Sequence, residues 1–239
     1  MTTKRVVGIV QARMGSTRLP GKSLMRLGGT TVLELVLLRM RRAKTLTEVV
    51  LATTELAEDD RLGAVAEAVG LRVFRGPEDD VLRRYALAAA AFNADVVVRV
   101  CADNPLVAPE VIDSIVRHHL ASGAEYSFNH RPALGNGYPD GLGGEVVSRA
   151  VLDNLDREAM TPGHREHVTA FIWDHLDQFH VETVAAPEAI AGPEVKLDVD
   201  TAEDLARLER LCAEAGGELE EWSAEDIVRS YRALDLGAA

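Results

Sequence analysis

The feature that most constrains this chain is an alternation of short apolar runs with helix-periodic segments over residues 5–121. Arg5 to Val10, Glu48 to Thr53, Leu71 to Phe74 and Asp95 to Val100 are brief and rich in valine, the pattern of strands buried on both faces. Between and after them, Thr31 to Lys44, Asp59 to Val69, Asp79 to Phe92 and Pro109 to Ala121 read as helices. Arg41, Arg42 and Lys44 suit the negative end of the first helix, Gly70 closes the second and Pro109 opens the fourth. This rhythm predicts an α/β fold: a mostly parallel, Rossmann-like open sheet with helices on both faces.

The rhythm loosens in the second half. Tyr126 to Gly144 is rich in Gly, Asn and Pro and reads as a functional loop. Glu145 to Val147 reads as a short strand, His164 to Leu176 as a helix and Val195 to Val199 as an alternating strand. Ala202 to Ala213 reads as a helix introduced by Thr201, with Asp204 three residues on, and Ala224 to Leu234 as a terminal helix. The expectation is one domain over residues 1–239, with a small irregular insertion at about 126–167.

The formal net charge is −12 and aromatics make up 5% of the chain. This balance argues against a nucleic-acid partner or an anionic membrane surface, and basic residues are not interleaved with aromatics. Cys101 and Cys212 make neither a disulfide framework nor a zinc pattern and read as free thiols in a reducing cytoplasm. No signal peptide, lipidation site or long apolar run is visible, so a cytoplasmic protein without a membrane partner is expected.

Chemistry concentrates in the loop after the first strand, Gln11-Ala12-Arg13-Met14-Gly15-Ser16-Thr17-Arg18-Leu19-Pro20-Gly21-Lys22. In open α/β sheets, ligands bind beyond the carboxyl ends of the strands. Glycines let backbone N–H groups approach phosphate oxygens, hydroxyls add donors, and Arg13, Arg18 and Lys22 neutralise charge. The loop therefore reads as a polyphosphate cradle, with a surface loop of scattered cations as the plainer reading. A Walker A loop is rejected: five residues separate Gly15 from Gly21 where that motif has four, and Pro20 removes a backbone donor.

Two carboxylates suit a divalent cation. Asp103 follows the fourth strand on the sheet edge that carries the loop, and Asp200 follows the strand at 195–199. Mg²⁺ takes carboxylate oxygens together with phosphate oxygens and water. A turn before Asn104-Pro105 and a helix-flanking role are the competing readings for Asp103 and Asp200. Asp198 stands two residues from Asp200, but in an alternating strand intervening residues change faces, so Asp200 is preferred.

Tyr138, Asp140 and Glu145 supply polar groups for an acceptor pocket, with a plain turn competing over 136–141. His164-Arg165-Glu166-His167 is not the zinc signature His-Glu-x-x-His. Arg165 and His167 read as acceptor-side or subunit-contact residues, with capping and core roles as the alternatives.

The loop from Gln11 to Lys22 resembles the opening of the CTP-using sugar nucleotidyltransferases, which include acylneuraminate cytidylyltransferase and CMP-Kdo synthetase. It is most similar to the branch named after the spore coat polysaccharide protein SpsF. The resemblance continues through Val73 to Tyr85, Arg99 to Pro105, Tyr138 to Gly141, Arg165 to Val168 and Val199 to Leu205, in family order. It implies CTP as the nucleotide, Asp103 and Asp200 as Mg²⁺ ligands, and a homodimer. It implies that Gln11, Ala12, Arg13, Gly15, Ser16, Arg18, Lys22 and Asp103 contact the nucleotide, that Arg75 holds it near the base, and that Asp80 adds a contact. The expected reaction is in-line attack of an acidic sugar, phosphate or phosphonate acceptor on the α-phosphorus, with loss of pyrophosphate. Arg13, Lys22 and Asp103 would carry it by positioning and charge neutralisation. A glycosyltransferase using a nucleotide sugar and a non-catalytic nucleotide sensor are the alternatives; pyrophosphate as product separates the first, and Mg²⁺-dependent turnover the second.

Overall fold

The computed structural model describes residues 4–237 except Thr17, Met160, Gly216 and Gly217; Thr17, one of the loop hydroxyls, thus lies outside the described residues. Strand β1 (Val6–Gln11) lies between two parallel neighbours, β4 (Glu48–Thr54) and β6 (Val96–Cys101), and β5 (Arg72–Gly76) runs parallel outside β4. Beyond β6 the direction reverses. Strand β8 (Glu145–Ser148) pairs antiparallel to β6, β7 (Tyr126–Phe128) antiparallel to β8, and β9 (Val181–Glu182) parallel to β7. The order is β5-β4-β1-β6-β8-β7-β9, and a two-stranded hairpin of β2 (Arg26–Leu27) and β3 (Thr30–Thr31) stands apart.

Side-chain alternation divides the core between the two faces of the sheet. Val7, Ile9 and Val97 pack with Tyr85 of α3 (Val81–Ala91) and Leu152 of α5 (Arg149–Glu158). Val6, Val10 and Val98 pack with Leu33 and Leu37 of α1 (Val32–Met40), Leu62 of α2 (Asp60–Ala68) and Ile112 of α4 (Pro109–Ser122). Burial on both faces is what makes these strands read as unbroken apolar runs. Caps set the helix starts: Thr31 accepts from the Glu34 N–H at 3.2 Å, and Asp80 from the Arg83 N–H at 2.9 Å.

Four expectations are corrected. Tyr126 to Phe128, expected as loop, is a sheet strand whose two rings pack against Trp173; three residues are too few to show alternation. Helix α5 was not anticipated; its core contacts are only Val151, Leu152 and Leu155 within a charged segment, and Ser148 caps it. The helix expected over 164–176 breaks into α6 (Pro162–Glu166) and α7 (Ala170–Asp174), because the hydroxyl of Thr169 turns inward to donate to Glu145 at 2.6 Å. Val195 to Val199 joins no sheet and makes one bridge, Lys196 to Asp140. Its alternation is satisfied by packing: Val195, Leu197 and Val199 share a third cluster with Leu208 of α8 (Ala202–Ala215) and Ile227 of α9 (Ala224–Gly237). Among the described residues no helix is long and apolar enough to cross a membrane.

Candidate active site

The parallel register of β1 and β6 pairs Gln11 with Cys101, so the loop after β1 and Asp103 emerge side by side. The loop is anchored from beneath. Fully buried Asp59 accepts from the Met14 N–H at 2.8 Å through one oxygen and from the Thr54 hydroxyl through the other. Gly21 holds φ at +72°, a left-handed conformation that a side chain would strain, and its carbonyl closes the turn that carries Lys22.

Lys22 is the centre of the arrangement. Its ammonium donates to Asp103 Oδ2 at 2.8 Å, Asp200 Oδ1 at 3.1 Å and the Val199 carbonyl at 2.8 Å. Burial works against the charge, but Asp103 and Asp200 outweigh it and hold Lys22 protonated above its ordinary range. For Asp200 the opposition also starts with burial, and the bonds from Lys22 and Arg18 outweigh it, keeping the carboxyl below the usual range. Arg18 Nη1 donates to Asp200 Oδ2 at 2.5 Å, and Arg13 Nη2 lies 3.4 Å from Glu166 Oε1. Lys22, Arg13, Arg18, Asp103 and Glu166 line a cavity of about 270 Å³, with Gln11, Ala12, Gly15 and Ser16 on the loop side, and Asp200 reaches it through Lys22.

The donor set fits a hard divalent cation. Two carboxylates converge on one ammonium, so their oxygens already face a common positive centre. Among the described residues no group of three or more His, Cys, Asp or Glu side chains is placed to hold a metal. A pair of this kind would complete its shell with phosphate oxygens and water, as Mg²⁺ does. Asp198 is turned away from Lys22, 3.6 Å from Lys196; burial and the nearby Asp140 raise its carboxyl to about 6.

A second cavity, of about 340 Å³, adjoins the first and shares Arg99 and His167 with it. Its floor is Glu145, which bonds Arg99, the Tyr126 hydroxyl at 2.6 Å and Thr169. Burial alone would raise this carboxyl; Arg99 and the two hydroxyls reverse that and bring it to about 2.

Of the residues singled out from sequence, Gln11, Ala12, Arg13, Gly15, Ser16, Arg18, Lys22 and Asp103 line the first cavity, Glu145 the second, and His167 both. Asp200 joins through Lys22. Five others line neither. Arg75 sits two strands out from β1, bound to Asp60 at 2.8 Å and the Thr54 carbonyl. Asp80 caps α3 and pairs with Arg165, which also pairs with Asp156, so each is taken up by the other. Tyr138 is 1% exposed and belongs to the third core cluster. Asp140 is fixed at the backbone by Val195 and Leu197. Sequence reasoning gave no role to Arg99, His130, Arg131, Glu166, Thr169 and Trp173. Only Arg99 carried a local signal, a lone cation in the buried run Val-Val-Val-Arg-Val.

Loop, paired carboxylates and adjoining cavities together define a nucleotidyltransferase type of site, and comparison with known proteins places it more closely. The profile of the Cytidylyltransferase family matches residues 7–225, and the chain belongs to that family. It is 36% identical to the spore coat polysaccharide biosynthesis protein SpsF of Bacillus subtilis (strain 168) over 93% of this chain and 92% of that one. It is 32% identical to a 3-deoxy-manno-octulosonate cytidylyltransferase of Anaeromyxobacter sp. (strain Fw109-5), over 98% and 86%. The solved structure of a cytidylyltransferase from Leptospira borgpetersenii serovar Hardjo-bovis (strain JB197) superposes with a TM-score of 0.90 at 30% identity, covering 98% and 96%. Rv0371C of Mycobacterium tuberculosis H37Rv, solved as a manganese complex, superposes with a TM-score of 0.62 at 26% identity, covering 86% and 98%.

Proposed function

We propose that the protein transfers CMP from CTP to an acidic sugar or a related phosphate or phosphonate acceptor, releasing pyrophosphate with Mg²⁺ as cofactor. The observation that carries this reading is the convergence of Lys22, Asp103 and Asp200 at the loop cavity. The manganese complex of one structural relative and the acceptor named for one sequence relative support it.

In this reading the triphosphate lies along the loop, with Gly15 giving the backbone room for close approach. Lys22, kept charged by its carboxylate neighbours, neutralises the α-phosphoryl group and the departing pyrophosphate, and Arg13 and Arg18 extend that neutralisation. Asp103 and Asp200 would hold the divalent cation, which supplies charge neutralisation at the phosphoryl oxygens. The acceptor occupies the second cavity, which meets the first at Arg99 and His167 and brings its oxygen in line with the α-phosphorus. The chain need supply no nucleophile of its own.

A product screen that crosses four nucleoside triphosphates with acidic sugars and phosphonates tests this. Pyrophosphate formed from CTP with at least one of these acceptors is expected. A nucleoside diphosphate as product, or turnover with every triphosphate except CTP, would sink it.

A further inference from the structure

The second cavity contains one cation that no carboxylate neutralises among the described residues. The other charged groups of its wall have a partner of opposite sign or a hydrogen bond: Arg99 is paired with Glu145, although its Nε too is buried without a partner, and Asp174 bonds His164 at 2.8 Å. Arg131 is different. Its guanidinium sits over the Trp173 ring, 4.3 Å from the centroid, and its Nε is buried without a hydrogen-bond partner. Trp173 is itself fixed edge-on against Tyr126 and Phe128. Stacking therefore holds the guanidinium in place without using its donors.

The neighbour of Arg131 adds a second observation. His130 also lines the cavity, and its Nδ1 is buried without a partner. Burial pushes this imidazole down to about 4, so at neutral pH it offers a dipole and not a charge. A buried guanidinium Nε and a buried ring nitrogen left without partners are costly. A planar guanidinium held in advance matches the two oxygens of a carboxylate or phosphonate, and rewards an anionic partner over a neutral hydroxyl.

We infer that Arg131 recognises an anionic group of the acceptor, a carboxylate or a phosphonate, and is the residue that selects charged acceptors over neutral ones. This rests on the second cavity being the acceptor end of the cytidylyltransferase site. The cavity volume of about 340 Å³ suits a small acid and is too tight for an extended polymer.

The test uses the full chain and two anionic probes, methylphosphonate and 3-deoxy-manno-octulosonate, with mannose as the neutral control. Binding is followed by calorimetry and by the fluorescence of Trp173, assigned with Trp173→Phe. CTP is titrated separately. At least one anion is expected to bind at concentrations up to about 10 mM. Arg131→Gln should weaken that binding by about tenfold or more, Arg131→Lys by less, and mannose should bind neither protein. CTP affinity should stay within about twofold of wild type in both variants, a split that a general loss of structure would not produce. The inference is overturned if neither anion binds, or if Arg131→Gln binds the anion like wild type. It is also overturned if binding survives in Arg131→Gln but is lost in Lys22→Ala, which would place the anion on the phosphate loop. Failure of the wild type to bind CTP would overturn the cytidylyltransferase reading itself, and the separate titration tells the two failures apart.

Discussion

The two adjoining cavities handle charge in opposite ways. In the loop cavity, Lys22, Arg18, Asp103 and Asp200 neutralise one another in a partly exposed cluster, so each partner can be exchanged for phosphate or a cation at modest cost. In the second cavity, Arg99 and Glu145 form a buried pair locked by two hydroxyls, and Arg131 stands beside it with no counter-ion among the described residues. The first is a cluster that can rearrange and the second a fixed wall with one cation left unpaired among the described residues. The difference lies in the burial of the carboxylates: Glu145 is 2% exposed, while Asp103 is 26% and Asp200 18% exposed.

The sharpest way to break this contrast is to neutralise one carboxylate in each cavity. Glu145→Gln leaves Arg99 buried without its counter-charge, and we expect a loss of about 3 kcal/mol in unfolding free energy. Differential scanning calorimetry should then show a melting temperature lower by about 10 °C. Asp200→Asn should cost less than about 1 kcal/mol in the same measurement, because the partly exposed cluster can rearrange. Equal losses in the two variants would erase the distinction.

Titration sharpens it further. Burial pushes His119 and His130 down to about 4, and for His130 it does so against the opposing pull of Glu145. In the unfolded chain both charge near pH 6.5. Between about 6.5 and 4 the unfolded state therefore binds more protons, and stability falls as pH drops through that window. Glu145, depressed to about 2, adds a second loss as pH falls below the ordinary carboxylate range. His130→Gln should flatten the first slope without changing CTP affinity at pH 7, and an unchanged slope would remove His130 from the account. The smallest effect is expected outside both cavities: Tyr138→Phe should leave acceptor KM within about twofold, since the ring packs in the third cluster.

The two regions also differ in how far they could be read from sequence. The parallel half was legible because strands β1, β4 and β6, buried on both faces, leave largely apolar runs, and the loop after β1 concentrates its cations in twelve residues. Asp103 could be located because it directly follows β6. The second cavity was not legible. It gathers Arg99, His130, Arg131, Glu145, Thr169 and Trp173 from several separate stretches of the chain, and only Arg99 carries a local signal. Glu145 was singled out, but as a ligand-facing polar group and not as a buried hub. Asp80 and Arg165 show the converse: charged residues in segments that carry the family resemblance, paired with each other in the fold. The break between α6 and α7 depends on a tertiary bond from Thr169, which helical periodicity cannot reveal.

The account stands most directly on Lys22. Pyrophosphate release from CTP, with Mg²⁺ and the best acceptor from the product screen, should fall by about a hundredfold or more in Lys22→Ala. The circular dichroism and melting temperature of the variant should stay near wild type. Wild-type pyrophosphate release in a folded Lys22→Ala would contradict the central claim that this ammonium, gathered by Asp103 and Asp200, carries the charge of the reaction.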